Sequence, residues 1–149
     1  MLSSRIAPGA VSLDLHGVSK EDVLTQLVAL LQLPDSGPSA VVKLLKRREA
    51  LGSTGVGRGI AIPHARTTLV DRLQLAFGRH ADGVAYGAID ARPVRHFFLI
   101  VAPASERSNE YLPVLGRVAQ FAKEPDVPDR LAALGRTEEL FALLREKGL

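Results

Sequence analysis

The sequence predicts an α/β protein, with a mixed β-sheet of about four to six strands flanked by helices in a single domain. Three observations lead there. Segments with helical spacing of apolar residues lie towards both ends of the chain. Short apolar runs of strand length lie between them. The 149 residues suffice for one well-cored domain but not for two.

The elements follow in order. Residues 11–15 alternate, with Val11, Leu13 and Leu15 on one side and Ser12 and Asp14 on the other, the period of a half-buried strand. Ser19 then opens a helix as N-cap, with Glu21 and Asp22 in the first turn, where the helix dipole favours acids. Val23, Leu24, Leu27, Leu30 and Leu31 form its apolar face, and Pro34, Gly37 and Pro38 end it. A second helix is expected over residues 39–51, with Val41, Leu44, Leu45 and Leu51 pointing inward. Residues 52–59 form a glycine-rich loop, and Ile60-Ala61-Ile62 begins a short strand that Pro63-His64 stops. Residues 73–79 and 94–101 read as buried strands, the latter being the most apolar segment of the chain. Three helical stretches follow Pro103, at 108–123, 128–134 and 138–147. Thr137 caps the last of them, and Pro113 leaves the start of the first open, because proline is comfortable only in a first turn.

Composition narrows the function. Hydrophobic residues make up 46% and charged residues 23%, a globular balance rather than a disordered or fibrous one. The absence of cysteine excludes disulfide scaffolds, thiolate metal sites and cysteine nucleophiles. Four histidines without a close pair suggest no metal centre, and nothing calls for a cofactor. The net charge of +3 is modest, and no aromatic residue precedes Phe77. Nucleic acid is therefore not expected as a partner. Lys43, Lys46 and Arg47 read as a solvated helix face able to meet an acidic partner, with Arg48 set apart from them. No apolar run reaches the roughly 18–20 residues of a membrane span, and the first ten residues lack a secretory signal. A cytoplasmic protein without membrane insertion is expected.

The most informative stretch runs from Arg48 to Arg66. Four glycines within eight residues, Gly52, Gly55, Gly57 and Gly59, let the backbone approach a ligand and turn N–H groups towards it. Ser53 and Thr54 add hydroxyls, while Arg48, Arg58 and Arg66 add charge suited to phosphate oxygens. Pro63 restricts the backbone before His64, so the imidazole is held in a defined direction. A neutral imidazole nitrogen in such surroundings can attack phosphorus and carry the phosphoryl group. A glycine-rich loop also serves as a plain turn, and a histidine beside proline also serves structure; the residues alone leave both readings open. Dinucleotide and P-loop binding fall away. Gly55-x-Gly57-x-Gly59 has the wrong spacing, leads from helix to strand, and is followed by no Walker lysine. Among the other histidines, His16 and His80 read as turn residues and His96 as a satisfied core or strand-face residue.

Glu49, Val56-Gly57 and Ile60-Ala61-Ile62-Pro63-His64-Ala65 together resemble a known signature. It is the phosphorylation site of the IIA component of the bacterial phosphoenolpyruvate-dependent sugar phosphotransferase system, of the fructose/mannitol/nitrogen-regulatory type. Arg48-Glu49 and Gly52-Ser53-Thr54-Gly55 fit as well, and a weaker resemblance runs from Ser19-Lys20-Glu21 through Asp90-Ala91-Arg92-Pro93-Val94 to Ala102-Pro103. The resemblance implies that residues 1–149 form one IIA-type domain with a mixed sheet flanked by helices. It also implies a phosphotransferase acting through a phosphohistidine, in which His64 accepts phosphate from HPr or its nitrogen-branch counterpart, upstream of which Enzyme I uses phosphoenolpyruvate. Arg48 is implied near the phosphoryl group, and Ser53, Thr54, Gly55 and Gly57 around its oxygens. Transport members pass the group to a IIB domain, whereas regulatory members change partners with phosphorylation state. Tyr111-Leu112 stands where family members commonly carry a second active-site histidine followed by leucine. A phenol can orient the ring or the phosphate but supplies no positive charge. With no IIB, IIC or HPr segment attached, the expectation is a regulatory phosphocarrier acting on a target protein. The alternatives are a separately encoded transport component and a non-catalytic binding module that keeps the fold.

Overall fold

The segment richest in apolar residues becomes the centre of the sheet. A computed structural model describes residues 1–105 and 109–149. Its six strands are β1 (Ile6–Leu15), β2 (Gly55–Gly57), β3 (Ile60–Ala61), β4 (His64–Thr67), β5 (Gln74–Val84) and β6 (Val94–Pro103). The strand order is β1-β5-β6-β3-β2, with β4 also paired to β6. Parallel pairs (β1/β5, β3/β6, β4/β6) alternate with antiparallel ones (β5/β6, β2/β3), so the sheet is mixed, as expected from the sequence. The described residues also form a 3-10 turn at Leu2–Ser4 and five α-helices: α1 (Lys20–Ala29), α2 (Gly37–Ala50), α3 (Tyr111–Ala122), α4 (Val127–Ala132) and α5 (Thr137–Glu146).

Strand β6 is buried on both faces, because successive side chains point to opposite sides and both sides are covered. Phe98 meets Phe77 at 4.9 Å between ring centroids and Phe121 of α3 edge-on at 5.8 Å. Its neighbour Phe97 meets Tyr86 at 5.6 Å on the opposite face. Helices α1 and α2 pack on each other, with α1 reaching β5 and α2 reaching β4. Helix α3 lies on β6 with α4 beside it, and α5 lies on β1.

Several local features depart from the sequence expectation. Strand β1 starts at Ile6, not Val11, and runs through Pro8 and Gly9. An edge strand tolerates proline because its outer N–H groups need no partner, and β1 is the edge. Pro38 sits in the first turn of α2 rather than before it, where its missing N–H costs nothing. Leu51, expected inward, is 86% exposed, since α2 ends at Ala50 and its buried stripe runs Val41, Leu45, Glu49. Arg136, not Thr137, is the N-cap of α5, without a side-chain cap bond. The expected start at Ser108 lies outside the described residues, and α3 begins at Tyr111.

His80 is no turn residue: it is buried within β5. One ring nitrogen, Nε2, donates to the Gly17 carbonyl at 2.8 Å, and Nδ1 accepts from the Gly83 N–H at 3.0 Å. The Ala81-Asp82-Gly83 sequence that reads as a turn instead marks an irregularity in the β5/β6 register between Arg79 and Val84. His96 is a core residue as expected, yet its Nδ1 has no hydrogen-bond partner, so it is not fully satisfied.

Candidate active site

Proline interrupts the strand carrying His64 without shifting its register. Ile60 lies opposite His96 before the break, and His64 lies opposite Ile100 after it, the same offset on both sides. The chain was expected to leave the sheet at Pro63-His64, but it resumes as β4 at His64. The break is bridged by Ile100 N–H donating to the Pro63 carbonyl at 3.0 Å. At this break the Ile62 carbonyl faces the imidazole rather than a strand partner. His64 Nδ1 lies 2.7 Å from that oxygen. A carbonyl can only accept, so in the neutral ring the proton sits on Nδ1 and Nε2 keeps its lone pair. The residue is half-buried, so the ring is held yet reachable.

Alternation along β4 puts His64 and Arg66 on one face and Ala65 and Thr67 on the other. His64 pairs with Ile100, two residues from Phe98, and so shares the face covered by α3. There the first residue of α3, Tyr111, is brought to His64, with ring centroids 6.2 Å apart. The Arg66 guanidinium carbon sits 5.3 Å from the Tyr111 ring centroid, within cation–π range.

The remaining sequence-derived candidates gather in a second cluster behind the loop. Glu49, buried at the end of α2, accepts from the Thr54 N–H at 3.0 Å and from the Thr54 hydroxyl. Lys20 pairs with the same carboxylate at 2.9 Å. The Lys20 ammonium also donates to the Tyr86 carbonyl at 3.1 Å and lies over the Tyr86 ring. Burial, and next the charge of Glu49, push the Tyr86 phenol well above the ordinary tyrosine range, so it stays protonated. Ser53 donates its hydroxyl to the Tyr86 carbonyl at 2.9 Å and accepts from the Gly55 N–H at 3.0 Å. The hydroxyls of Ser53 and Thr54 and the Gly55 amide thus tie the loop down. The Arg48 guanidinium donates to the Gly52 carbonyl at 2.8 Å. Arg58 turns away from His64, and its guanidinium caps α3 through the Ala122 carbonyl. Gly57 has φ of 98°, and the following Arg58 N–H donates to Asp90 at 2.8 Å.

One bond connects the two clusters. The Thr54 carbonyl accepts from the Ile62 N–H at 3.0 Å, and the Ile62 carbonyl on the far side of that residue holds His64. The position of the ring is therefore built from Lys20 and Glu49 through Thr54 and Ile62. Sequence reasoning missed Lys20 and Tyr86 and gave Glu49 no role. The legible signal was an acid at the inward position of the α2 stripe.

Gly55 is fixed by close approach. A Cβ there would lie 2.7 Å from the Ala88 Cβ and 2.9 Å from its Cα. Gly55→Ala is expected to cost about 1–3 kcal/mol, because two backbones must separate. Chemical denaturation checks this, and an unchanged midpoint would contradict the close contact.

Comparison with known proteins agrees with this geometry. Residues 6–147 match the family described as phosphoenolpyruvate-dependent sugar phosphotransferase system, EIIA 2. A nitrogen regulatory protein of Pseudomonas aeruginosa is 33% identical over 146 residues, covering 96% of this chain and 94% of the relative. A fructose-specific EIIABC component of Bacillus subtilis is 32% identical over 123 residues, 81% of this chain but only 19% of that longer protein. The crystal structure of the nitrogen regulatory protein IIA-Ntr from Neisseria meningitidis superposes with a TM-score of 0.88 at 30% identity, covering 96% of this chain and 98% of that one. With the family matched from the first sheet strand into the last helix, the chain belongs to the EIIA 2 family of the sugar phosphotransferase system.

Proposed function

We propose that the protein is a phosphocarrier that accepts a phosphoryl group on Nε2 of His64 from the phosphohistidine of an HPr-type donor, and that the phosphorylated and free forms serve mainly as a regulatory signal. The observation that carries this reading is the Nδ1 contact with the Ile62 carbonyl. It keeps the proton on the far nitrogen and leaves Nε2 as the nucleophile. In the transfer the Nε2 lone pair forms a bond to phosphorus as the donor's P–N bond breaks. The donor ring leaves with that electron pair and regains its neutral form by taking a proton from solvent. The Nδ1 proton need not move, and its bond to Ile62 strengthens as the His64 ring gains positive character.

The regulatory assignment is supported by nitrogen regulatory relatives that match this chain over nearly their whole length. The similarity to a fructose-specific component supports a second reading, in which His64 passes the group on to a IIB domain. We further propose that residues 1–149 act as one such domain and that the protein works in the cytoplasm.

Intact-mass measurement after incubation with phosphoenolpyruvate, Enzyme I and HPr tests the proposal. The expected result is an acid-labile gain of one phosphoryl group that His64→Ala abolishes. No gain with active donors from both the sugar and nitrogen branches would overturn it and leave a binding module.

A further inference from the structure

We infer that Arg66 is a catalytic residue of the transfer, contacting the phosphoryl oxygens beside His64 while the Tyr111 ring holds its guanidinium in place. This rests on the proposed function and names the cation of that same site. Residues 64 and 66 are two apart on one strand, so their side chains leave the same face side by side. Tyr111 touches both, at 6.2 Å from the His64 ring and 5.3 Å from the Arg66 guanidinium carbon. The phenol brings no charge of its own, but its ring face attracts a cation.

The guanidinium is also available. Arg66 is exposed, and its bonds go to two backbone carbonyls, Pro103 and Ala104, both at 3.4 Å, the long limit of a hydrogen bond. Among the described residues no carboxylate forms an ion pair with it, so its charge is not cancelled. Of the other two arginines near the loop, Arg58 is drawn to the end of α3, and Arg48 donates to the Gly52 carbonyl at 2.8 Å. A phosphoryl group moving between two nitrogens carries its negative charge on three equatorial oxygens, which a planar two-pronged cation fits. The step is the one written above: the donor P–N bond breaks, the P–Nε2 bond forms, and Arg66 exchanges no proton.

The test is the steady-state and single-turnover kinetics of phosphoryl acceptance from phosphorylated HPr. Wild type is compared with Arg66→Gln, Arg66→Lys and Arg66→Ala, with Arg145→Gln on α5 as a control for lost surface charge. Arg66→Gln is expected to lower kcat by about 10- to 100-fold, somewhat less than removal of a fully enclosed donor, with KM changed little. Arg66→Lys keeps the charge without the fork and falls between the two. Added guanidinium salt should restore part of the Arg66→Ala rate, which a merely structural role would not produce. Wild-type kinetics in Arg66→Gln overturn the inference, and so does a rise in KM alone, which would assign Arg66 to docking. Absence of phosphoryl gain in the wild type itself would overturn the proposed function as well.

Discussion

Glu49→Ala is expected to lower the unfolding free energy by about 3 kcal/mol and to loosen His64 at the same time. The carboxylate is buried and serves the Thr54 N–H, the Thr54 hydroxyl and the Lys20 ammonium together. Its removal leaves the two Thr54 donors without their carboxylate acceptor, the Thr54 hydroxyl keeping only the Tyr86 hydroxyl at 3.3 Å. Each stranded group costs about 1–3 kcal/mol, and partial relaxation and water entry recover some of it. Lys20 is nearer the surface and can turn to solvent, so Lys20→Met should cost less than Glu49→Ala. Urea denaturation gives the energies. A long-range proton–nitrogen correlation spectrum of the His64 ring gives the second effect, because a mobile Thr54 no longer fixes Ile62. If Glu49→Ala unfolds with the wild-type midpoint and His64 keeps its Nδ1 proton, the bonds from Glu49 through Thr54 and Ile62 do not hold the ring.

Stability is expected to fall as the solution is acidified from pH 6.5 to pH 4, by about 3 kcal/mol from His96 alone. Burial, followed by the charges of Arg95 and Arg79, lowers this histidine from 6.5 to about 4. Its Nδ1 finds no partner that would welcome a proton. The unfolded chain therefore binds a proton through this window that the native protein refuses, and the balance shifts towards unfolding. Above pH 6.5 neither state is protonated and the contribution is flat; below about pH 4 both are protonated and the loss is complete. His96→Phe keeps a ring beside Phe77, which His96 stacks on at 6.5 Å, and removes the titration. The difference between the two pH–stability curves isolates the residue. Parallel curves from pH 6.5 to 4 would show that His96 takes up its proton within the fold.

How much of this was legible beforehand depended on whether local chemistry or distant pairing decided the outcome. Ser19 acts as N-cap with Asp22 reciprocating, a short-range exchange that the sequence displays openly. The apolar run of β6 and the loop-to-histidine order were visible for the same reason. Leu51 misled because apolar character usually marks the inward side, whereas here the inward position next to it belongs to a carboxylate that the loop requires. His80 misled because Asp82 and Gly83 look the same whether a chain turns or bulges, and only the β6 partner decides which. Within the site, His64 and its relation to the glycine loop could be read directly. The retreat of Arg58 to α3 and the bond from Ser53 to the Tyr86 carbonyl could not, because each depends on residues far away in the chain.

The unshifted register across Pro63 bears on when the protein becomes competent. Strands β3 and β4 both pair with β6, β3 also with β2, and the bridge at Ile100 that closes the break forms only once β6 exists. During synthesis His64 emerges before any residue of β6, at a stage when the Thr54–Ile62 bond has its partners but the Ile100 bridge does not. A peptide from Arg48 to Arg66 would hold the whole signature but not the Ile100 bridge across the proline break. The phosphoryl acceptance proposed for His64 would then depend on a strand that follows the histidine in the chain.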